Sequence, residues 1–214
     1  AEARRYTMGQ VRAITLGGSW GTWQGYGWRE VLDLGVDTTC PPETDFCYDN
    51  EDASEENFAA MVVGGLAGLA TGAVIARNPV ASATATGANF GSLWGSWFGV
   101  ASGVLMDMED DALLAATLVG GNAGLVGAAV ATPRLGWSRD RWRLVSIAGV
   151  LGGLGGLGID LLVQPDDDKV AIAIPLATSL LGLGVGVAAS RDLDIGRGGD
   201  EGAAFDHALL TVRD

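Results

Sequence analysis

Long apolar runs, separated by charged clusters, dominate the chain. Five stretches contain no charged residue, and a sixth, weaker stretch precedes them: residues 57–76, 78–106, 112–133, 144–159 and 170–190, with 13–28 as the sixth. Four of the five contain about 20 residues or more, which is the length that an α-helix needs to cross the hydrocarbon core of a membrane. The run at 144–159 reaches that length when it is extended through Val163.

We therefore predict an all-α membrane protein with six transmembrane helices. The predicted helices are residues 13–33, 57–77, 85–106, 112–132, 144–163 and 170–190. Together they make a membrane domain over residues 13–190. We expect a basic N-terminal tail at residues 1–12, an acidic loop at 34–56 and a polar C-terminal tail at 191–214.

The apolar segments repeat along the chain. The stretches "AAMVVGGLAGLATGAVIA" from Ala59 and "AATLVGGNAGLVGAAVAT" from Ala115 share the core GG-x-AGL, 56 residues apart. A looser third copy, "ATSLLGLGVGVAAS", begins at Ala177. The segment before each copy recurs as well, as "GGSWGTWQG", "GSLWGSWFG" and "GVLGGLGG". This self-similarity predicts three consecutive helix hairpins.

Small residues occupy every fourth position within these segments. The stretch "GANFGSLWGSWFGVASG", residues 87–103, has a glycine at five such positions in a row. Residues four apart lie on one face of a helix, and a face without side chains lets a second backbone approach closely. In lipid, this close approach is a main source of helix association. The glycines predicted to make such contacts are Gly21, Gly25, Gly64, Gly68, Gly72, Gly87, Gly91, Gly95, Gly99, Gly103, Gly120, Gly124, Gly152, Gly156, Gly182 and Gly186.

A transmembrane β-barrel of about 12 strands is the alternative architecture. The stretches "VAIAIPLA" and "GLGVGVAA", residues 170–177 and 182–189, alternate large and small residues as strands do. However, the turns of such a barrel would be apolar where they meet water. The runs are also rich in Ala and Leu rather than in Val, Thr and Tyr, so helices are the favoured interpretation.

The distribution of charged residues predicts on which side of the membrane each connection lies. A net charge of −13 argues against a nucleic-acid partner, because proteins that bind phosphate backbones present basic faces. If six helices alternate in direction, 11 of the 13 basic residues fall on the side of the two termini, and 18 of the 26 acidic residues fall on or near the other side. This positive-inside pattern predicts cytoplasmic termini and acidic loops on the oxidising, periplasmic or extracellular side.

Cys40 and Cys47 are the only cysteines, and they bracket "CPPETDFC" in the acidic loop. Two nearby cysteines on the oxidising side of a membrane are expected to form a disulfide. A redox or metal-binding pair is the alternative, but the C-x-x-C spacing and a nearby histidine are both missing.

Three polar residues within the predicted helices are candidates for a functional site: Asp160, Asn89 and Asn122. Asp160 is the one acid inside an apolar run, and a carboxylate in lipid is costly unless it is paired or hydrated. Its place near the end of its segment favours a membrane-edge position over a proton or cation site. For Asn89 and Asn122 we expect interhelical hydrogen bonds, with the lining of a conduction path as the alternative.

No set of residues for catalysis is recognisable in the sequence. A catalytic triad, a zinc cluster and a P-loop are all missing. The stretch "GLGGLG" from Gly153 matches a dinucleotide-binding pattern, but no strand precedes it and it lies inside an apolar run. We therefore expect a protein that is not an enzyme and that holds no metal or cofactor.

The recurring "GGxAGLxxG" segments resemble those of glycine-zipper multi-pass proteins of bacterial envelopes. The resemblance covers residues 13–190 and implies an architecture and an envelope location, but no reaction. Two functions follow as hypotheses. The first is a structural or scaffolding membrane subunit in the lipid bilayer, either a homo-oligomer or part of a larger envelope complex. The second is a channel or transporter in which Asn89, Asn122 and Asp160 line a path.

Overall fold

A computed structural model describes residues 6–34 and 53–194, and these residues form six α-helices. The helices are α1 (Met8–Val31), α2 (Ala53–Ile75), α3 (Ser82–Leu105), α4 (Asp110–Leu135), α5 (Arg139–Val163) and α6 (Asp168–Ala189), and a 3₁₀ turn follows at Arg191–Asp194. The prediction of an all-α fold is confirmed. The alternative β-barrel is wrong, since the described residues contain no strand. The predicted disulfide between Cys40 and Cys47 lies outside the described residues.

Capping side chains mark the starts of three described helices, α1, α5 and α6, and at α6 the Asp167 carboxylate accepts a hydrogen bond from the Lys169 N–H. The Thr7 hydroxyl accepts a hydrogen bond from the Gln10 backbone N–H, and the Gln10 side chain accepts one from the Thr7 N–H, which together make a capping box. Ser138 accepts from the Arg141 N–H ahead of α5. Helices α1 and α5 begin five residues before the predicted starts at 13 and 144, because apolar character is a poor guide to helix starts that carry polar residues such as Gln10 and Arg141.

Consecutive helices pair as antiparallel hairpins, α1 with α2, α3 with α4 and α5 with α6. Helix α3 is central, because it also contacts α1, α5 and α6. Helix α1 adds a contact with α4, so the first two hairpins are joined through two interfaces. The third hairpin is joined to the rest through α3 alone among the described helices.

The outer helices are the most apolar ones. Helices α2, α4, α5 and α6 are long and apolar enough to cross a membrane. The apolar windows of α2 and α6 have mean hydropathies of 2.0 and 2.1, yet only 11% and 17% of their residues are buried. Leu66 and Leu162 are 62% and 87% exposed, whereas the central α3 buries Thr86 and Ser92. An apolar outside around a more polar centre is the reverse of a water-soluble bundle, so this is an integral membrane protein whose surface contacts lipid.

Candidate functional site

The glycine stripes of the first hairpin meet each other along α1 and α2. Small residues face one another there in antiparallel order, backbone against backbone: Gly17 opposite Gly68, Gly21 opposite Gly64, and Gly25 opposite Ala60. A Cβ atom on Gly21 would collide with the carbonyl oxygen of Gly64 and would stand 2.9 Å from the Cα atom of Gly68. Any side chain at these positions would push the two helices apart.

The same arrangement recurs in the other two hairpins. The facing pairs are Gly91 with Gly124, Gly95 with Gly120 and Gly99 with Ala116 between α3 and α4, and Gly152 with Thr178, Gly182 with Ala148 and Gly186 with Val145 between α5 and α6. The approach is reciprocal: a Cβ atom on Gly120 would lie 2.5 Å from the Gly95 carbonyl oxygen, and one on Gly95 would collide with the Gly120 oxygen. We call these three interfaces the glycine seams.

The ends of the stripes have different neighbours. A Cβ atom on Gly87 would lie 2.7 Å from Trp142 Nε1, and one on Gly103 would lie 2.5 Å from a methyl group of Leu113. The stripe of α3 is therefore longer than the stretch over which its backbone touches that of α4. In α5, by contrast, Gly156 still meets backbone, since a Cβ atom there would lie 2.5 Å from the Cα atom of Pro175.

Asn122 belongs to a hydrogen-bonded cluster between α1 and α4. Its Oδ1 accepts from Trp20 Nε1 at 2.9 Å, and its Nδ2 donates to Gln24 Oε1 at 2.9 Å. Trp28 Nε1 donates to the same Gln24 oxygen at 2.8 Å. These bonds tie the first hairpin to the second. The sequence signal for Gln24 as the partner is weak, because it is only one polar residue in a helix that has several.

Asn89 lies away from that cluster, on an exposed part of α3. It lines a cavity of about 420 Å³ between α1, α3 and α5, close to the ends of the helices where the basic residues gather. Arg12 and Arg143 line the same cavity, together with the hydroxyl-bearing Thr15 and Ser19. We call it the polar cavity.

Arg12 is held in place by α3. Its Nη1 donates to Ser82 Oγ at 2.6 Å and to Thr86 Oγ1 at 3.0 Å. Arg143, from α5, is exposed. The sequence alone marks these two arginines only as charges at the basic edge of the membrane. Their meeting in one cavity depends on how the first and third hairpins sit against α3.

A second cavity, of about 450 Å³, adjoins the polar cavity, since Phe90 lines both. Side chains of α3, α5 and α6 form its walls, among them Leu93, Trp94 and Leu154. Trp94 Nε1 donates to Ser146 Oγ at 3.3 Å and so joins α3 to α5 at the floor. Leu93 and Leu154 are exposed, which means that this apolar cavity opens towards the surrounding lipid.

Asp160 occupies a third place, one turn before the end of α5 at Val163. Its Oδ1 is buried and has no hydrogen-bond partner among the described residues. Asn89 lies near the basic ends of the helices, and Asn122 is bonded to α1. The three polar residues proposed from the sequence are therefore not brought together into one path.

Polar contacts also fasten the helix ends. At the basic end, Gln10 Nε2 donates to the Ala76 carbonyl oxygen at 2.7 Å and links the start of α1 to the end of α2. At the acidic end, Arg29 pairs with Glu30 and Glu56, both at 2.8 Å, and its side chain is only 7% exposed. The sequence analysis missed both links, because each joins residues that are distant in the chain or outside the apolar runs.

Metal ligands do not cluster in the part of the chain that the structure describes. No known family model, no curated protein and no solved structure matches the chain. The functional conclusion therefore depends on the chain's own residues.

Proposed function

We propose that the protein is a structural subunit of a membrane assembly in the bacterial cell envelope, with no reaction of its own. The observation that supports this role is the packing of backbone against backbone in all three glycine seams. Such contacts hold two helices at one separation and one register, since any slide would bring a side chain into the seam. A rigid bundle suits a component that positions other subunits, whereas a transporter moves its repeats against one another.

The seams also limit where another subunit can bind. Because the glycine stripes are occupied by helices of the same chain, they are not free to contact a neighbour. The exposed faces of α2 and α6, which carry Leu66 and Leu181, are among the available apolar surfaces. We propose that a second copy or another envelope protein packs there in place of lipid.

The proposed orientation follows the charge distribution. It places the termini and the basic helix ends in the cytoplasm and the acidic loop on the oxidising side, where Cys40 and Cys47 would form a disulfide. The loop would then be the part of the subunit that faces partners outside the membrane.

A channel or transporter is the second candidate, and Asp160 favours it. A buried carboxylate oxygen without a protein partner is a common feature of proton and cation sites in membranes. Against this candidate, Asn89 and Asn122 lie elsewhere, and Asn122 already makes two hydrogen bonds.

Two measurements on the purified full-length protein test the proposal. We expect light scattering of mild-detergent extracts to give a protein mass well above the 21.9 kDa of one chain. In proteoliposomes we expect no proton or potassium flux above that of empty liposomes. A mass of one chain in every extract would contradict the assembly role. A flux that Asp160→Asn abolishes, but the control Asp166→Asn in the acidic connection does not, would establish the channel instead.

A further inference from the structure

The polar cavity carries positive charge that the described residues do not neutralise. Arg12 and Arg143 both line it, and no acidic side chain among residues 6–34 and 53–194 lines it or forms a salt bridge with either arginine. A guanidinium group has five N–H donors, and the two hydrogen bonds of Arg12 use only one of its nitrogens. Donors from both arginines therefore remain for an anion.

The cavity lies near the basic ends of the helices, where the bilayer around such a bundle has its headgroups. Arg12 is the fifth residue of α1 and Arg143 the fifth of α5, so each Cα atom is about 6 Å from the start of its helix at the basic end. Long arginine side chains at this depth extend towards the membrane surface. Asn89 adds an exposed amide, about 10 Å from the start of α3. Hydrocarbon cannot form hydrogen bonds with these guanidinium and amide groups, but a polar headgroup can.

The apolar cavity continues the polar one towards the middle of the membrane. Phe90 lies at the junction, and Trp97, at the far end of the α3 wall, is about 22 Å from the start of α3. Half of the hydrocarbon core is about 15 Å thick, so the two cavities together span one leaflet. Both are open at the surface of the bundle: Asn89 and Arg143 are exposed at the polar cavity, and Leu93 and Ile147 at the apolar one.

We propose that the polar and apolar cavities together form one groove, which binds an anionic phospholipid from the leaflet on the basic side. Arg12 and Arg143 hold the phosphate, and one acyl chain lies along Phe90, Trp94 and Leu154. The groove is basic at one end, apolar along the rest and open to the bilayer, which matches an amphiphile of the surrounding leaflet in both charge and position. The lipid would join α1 to α5, two helices that make no direct contact in the described bundle. This inference is independent of the proposed assembly role.

The test compares phosphatidylglycerol with phosphatidylcholine as probes. The full-length protein is equilibrated with each lipid in detergent, and bound lipid is counted by native mass spectrometry. We expect phosphatidylglycerol to bind at least about tenfold more tightly, and Arg143→Gln to lower its affinity about tenfold, because a hydrogen bond to a charged group is lost. Arg143 makes no hydrogen bond or salt bridge within residues 6–34 and 53–194, so this variant should fold normally. The control Arg134→Gln removes the same charge on the same side of the membrane, outside the groove, and should leave the affinity unchanged.

A second variant separates the acyl chain from the headgroup. Val150→Trp adds bulk to the apolar cavity and leaves both arginines intact, so it should lower the affinity for phosphatidylglycerol severalfold. The proposal is overturned if the two lipids bind equally, or if Arg134→Gln weakens binding as much as Arg143→Gln does. Displacement of phosphatidylglycerol by inorganic phosphate at a similar concentration would also overturn it, because the site would then recognise a free anion. None of these outcomes bears on the mass or the flux of the protein, so failure here is distinct from failure of the assembly role.

Discussion

Two glycines in α4 provide a direct test of the glycine seams. Gly124 lies in the seam: a Cβ atom there would stand 2.9 Å from both the Gly91 carbonyl carbon and the Gly95 Cα atom, and would collide with the Gly91 oxygen. Gly127, less than one turn away, has nothing within 4 Å of its built Cβ atom. Substitution by alanine therefore adds the same methyl group to the same helix, once inside the seam and once outside it.

The loss of stability expected for Gly124→Ala follows from the distance that the added methyl group needs from its neighbours. Carbon atoms pack at about 3.5–4.0 Å, so the two carbon contacts at 2.9 Å alone require Gly124→Ala to move α3 and α4 apart by at least roughly 0.6–1 Å, and the closer Gly91 oxygen requires more. A gap of that size forfeits a quarter to a half of the dispersion energy of each atom pair along the seam, and overpacking of this kind costs about 1–3 kcal/mol. Both substitutions gain up to about 1 kcal/mol of helix propensity. Gly124→Ala should therefore be about 1–3 kcal/mol less stable than Gly127→Ala, which should equal or exceed the unsubstituted protein.

The measurement is equilibrium unfolding in mixed micelles of a mild detergent and dodecyl sulfate. Tryptophan emission follows the loss of tertiary structure, and far-UV circular dichroism reports the helix content. If the two variants have the same free energy of unfolding within about 0.5 kcal/mol, the close backbone contact between α3 and α4 is refuted. A lower stability for Gly127→Ala would refute it as well, because no atom is near enough to oppose that methyl group.

Two further substitutions test the polar links between helices. Asn122→Leu introduces the residue that the first repeat has at the same place and leaves Trp20 Nε1 without its acceptor. The free energy of unfolding should therefore fall by about 1 kcal/mol in the same assay. An unchanged value would mean that this cluster does not join the hairpins. Arg29→Gln removes the largely buried partner of Glu56 and should lower the free energy of unfolding by about 1–2 kcal/mol. Lys169→Gln, at an exposed ion pair, should lower it by less than about 0.5 kcal/mol. Equal effects of the two substitutions would contradict the difference in burial between the two ion pairs.

The sequence determines the local features of this protein. The apolar runs predict the six helices, and four of them, α2, α4, α5 and α6, are long and apolar enough to cross a membrane, because 1.5 Å of rise per residue relates run length to membrane thickness. The four-residue spacing of glycine defines one bare face on each helix, since residues four apart share a face whatever surrounds them. The repeat of two segments indicates the pairing within hairpins. Helix starts such as Thr7 and Ser138 were missed by a few residues, because a cap is a property of single polar side chains and not of an apolar pattern.

The tertiary structure decides which of these faces and side chains meet. All six helices carry similar stripes, so the spacing alone does not say whether Gly95 faces its own hairpin partner or a neighbouring subunit; the register of α3 against α4 places it on Gly120. Asn89 and Asn122 are both asparagines within apolar runs. Asn89 nevertheless lines an open cavity, whereas Asn122 is hydrogen-bonded to α1. Arg12 and Arg143 meet in one cavity only because α1 and α5 flank α3. Such groupings depend on the rotation and register of whole helices, which are set by the sum of many contacts along each interface rather than by any local pattern.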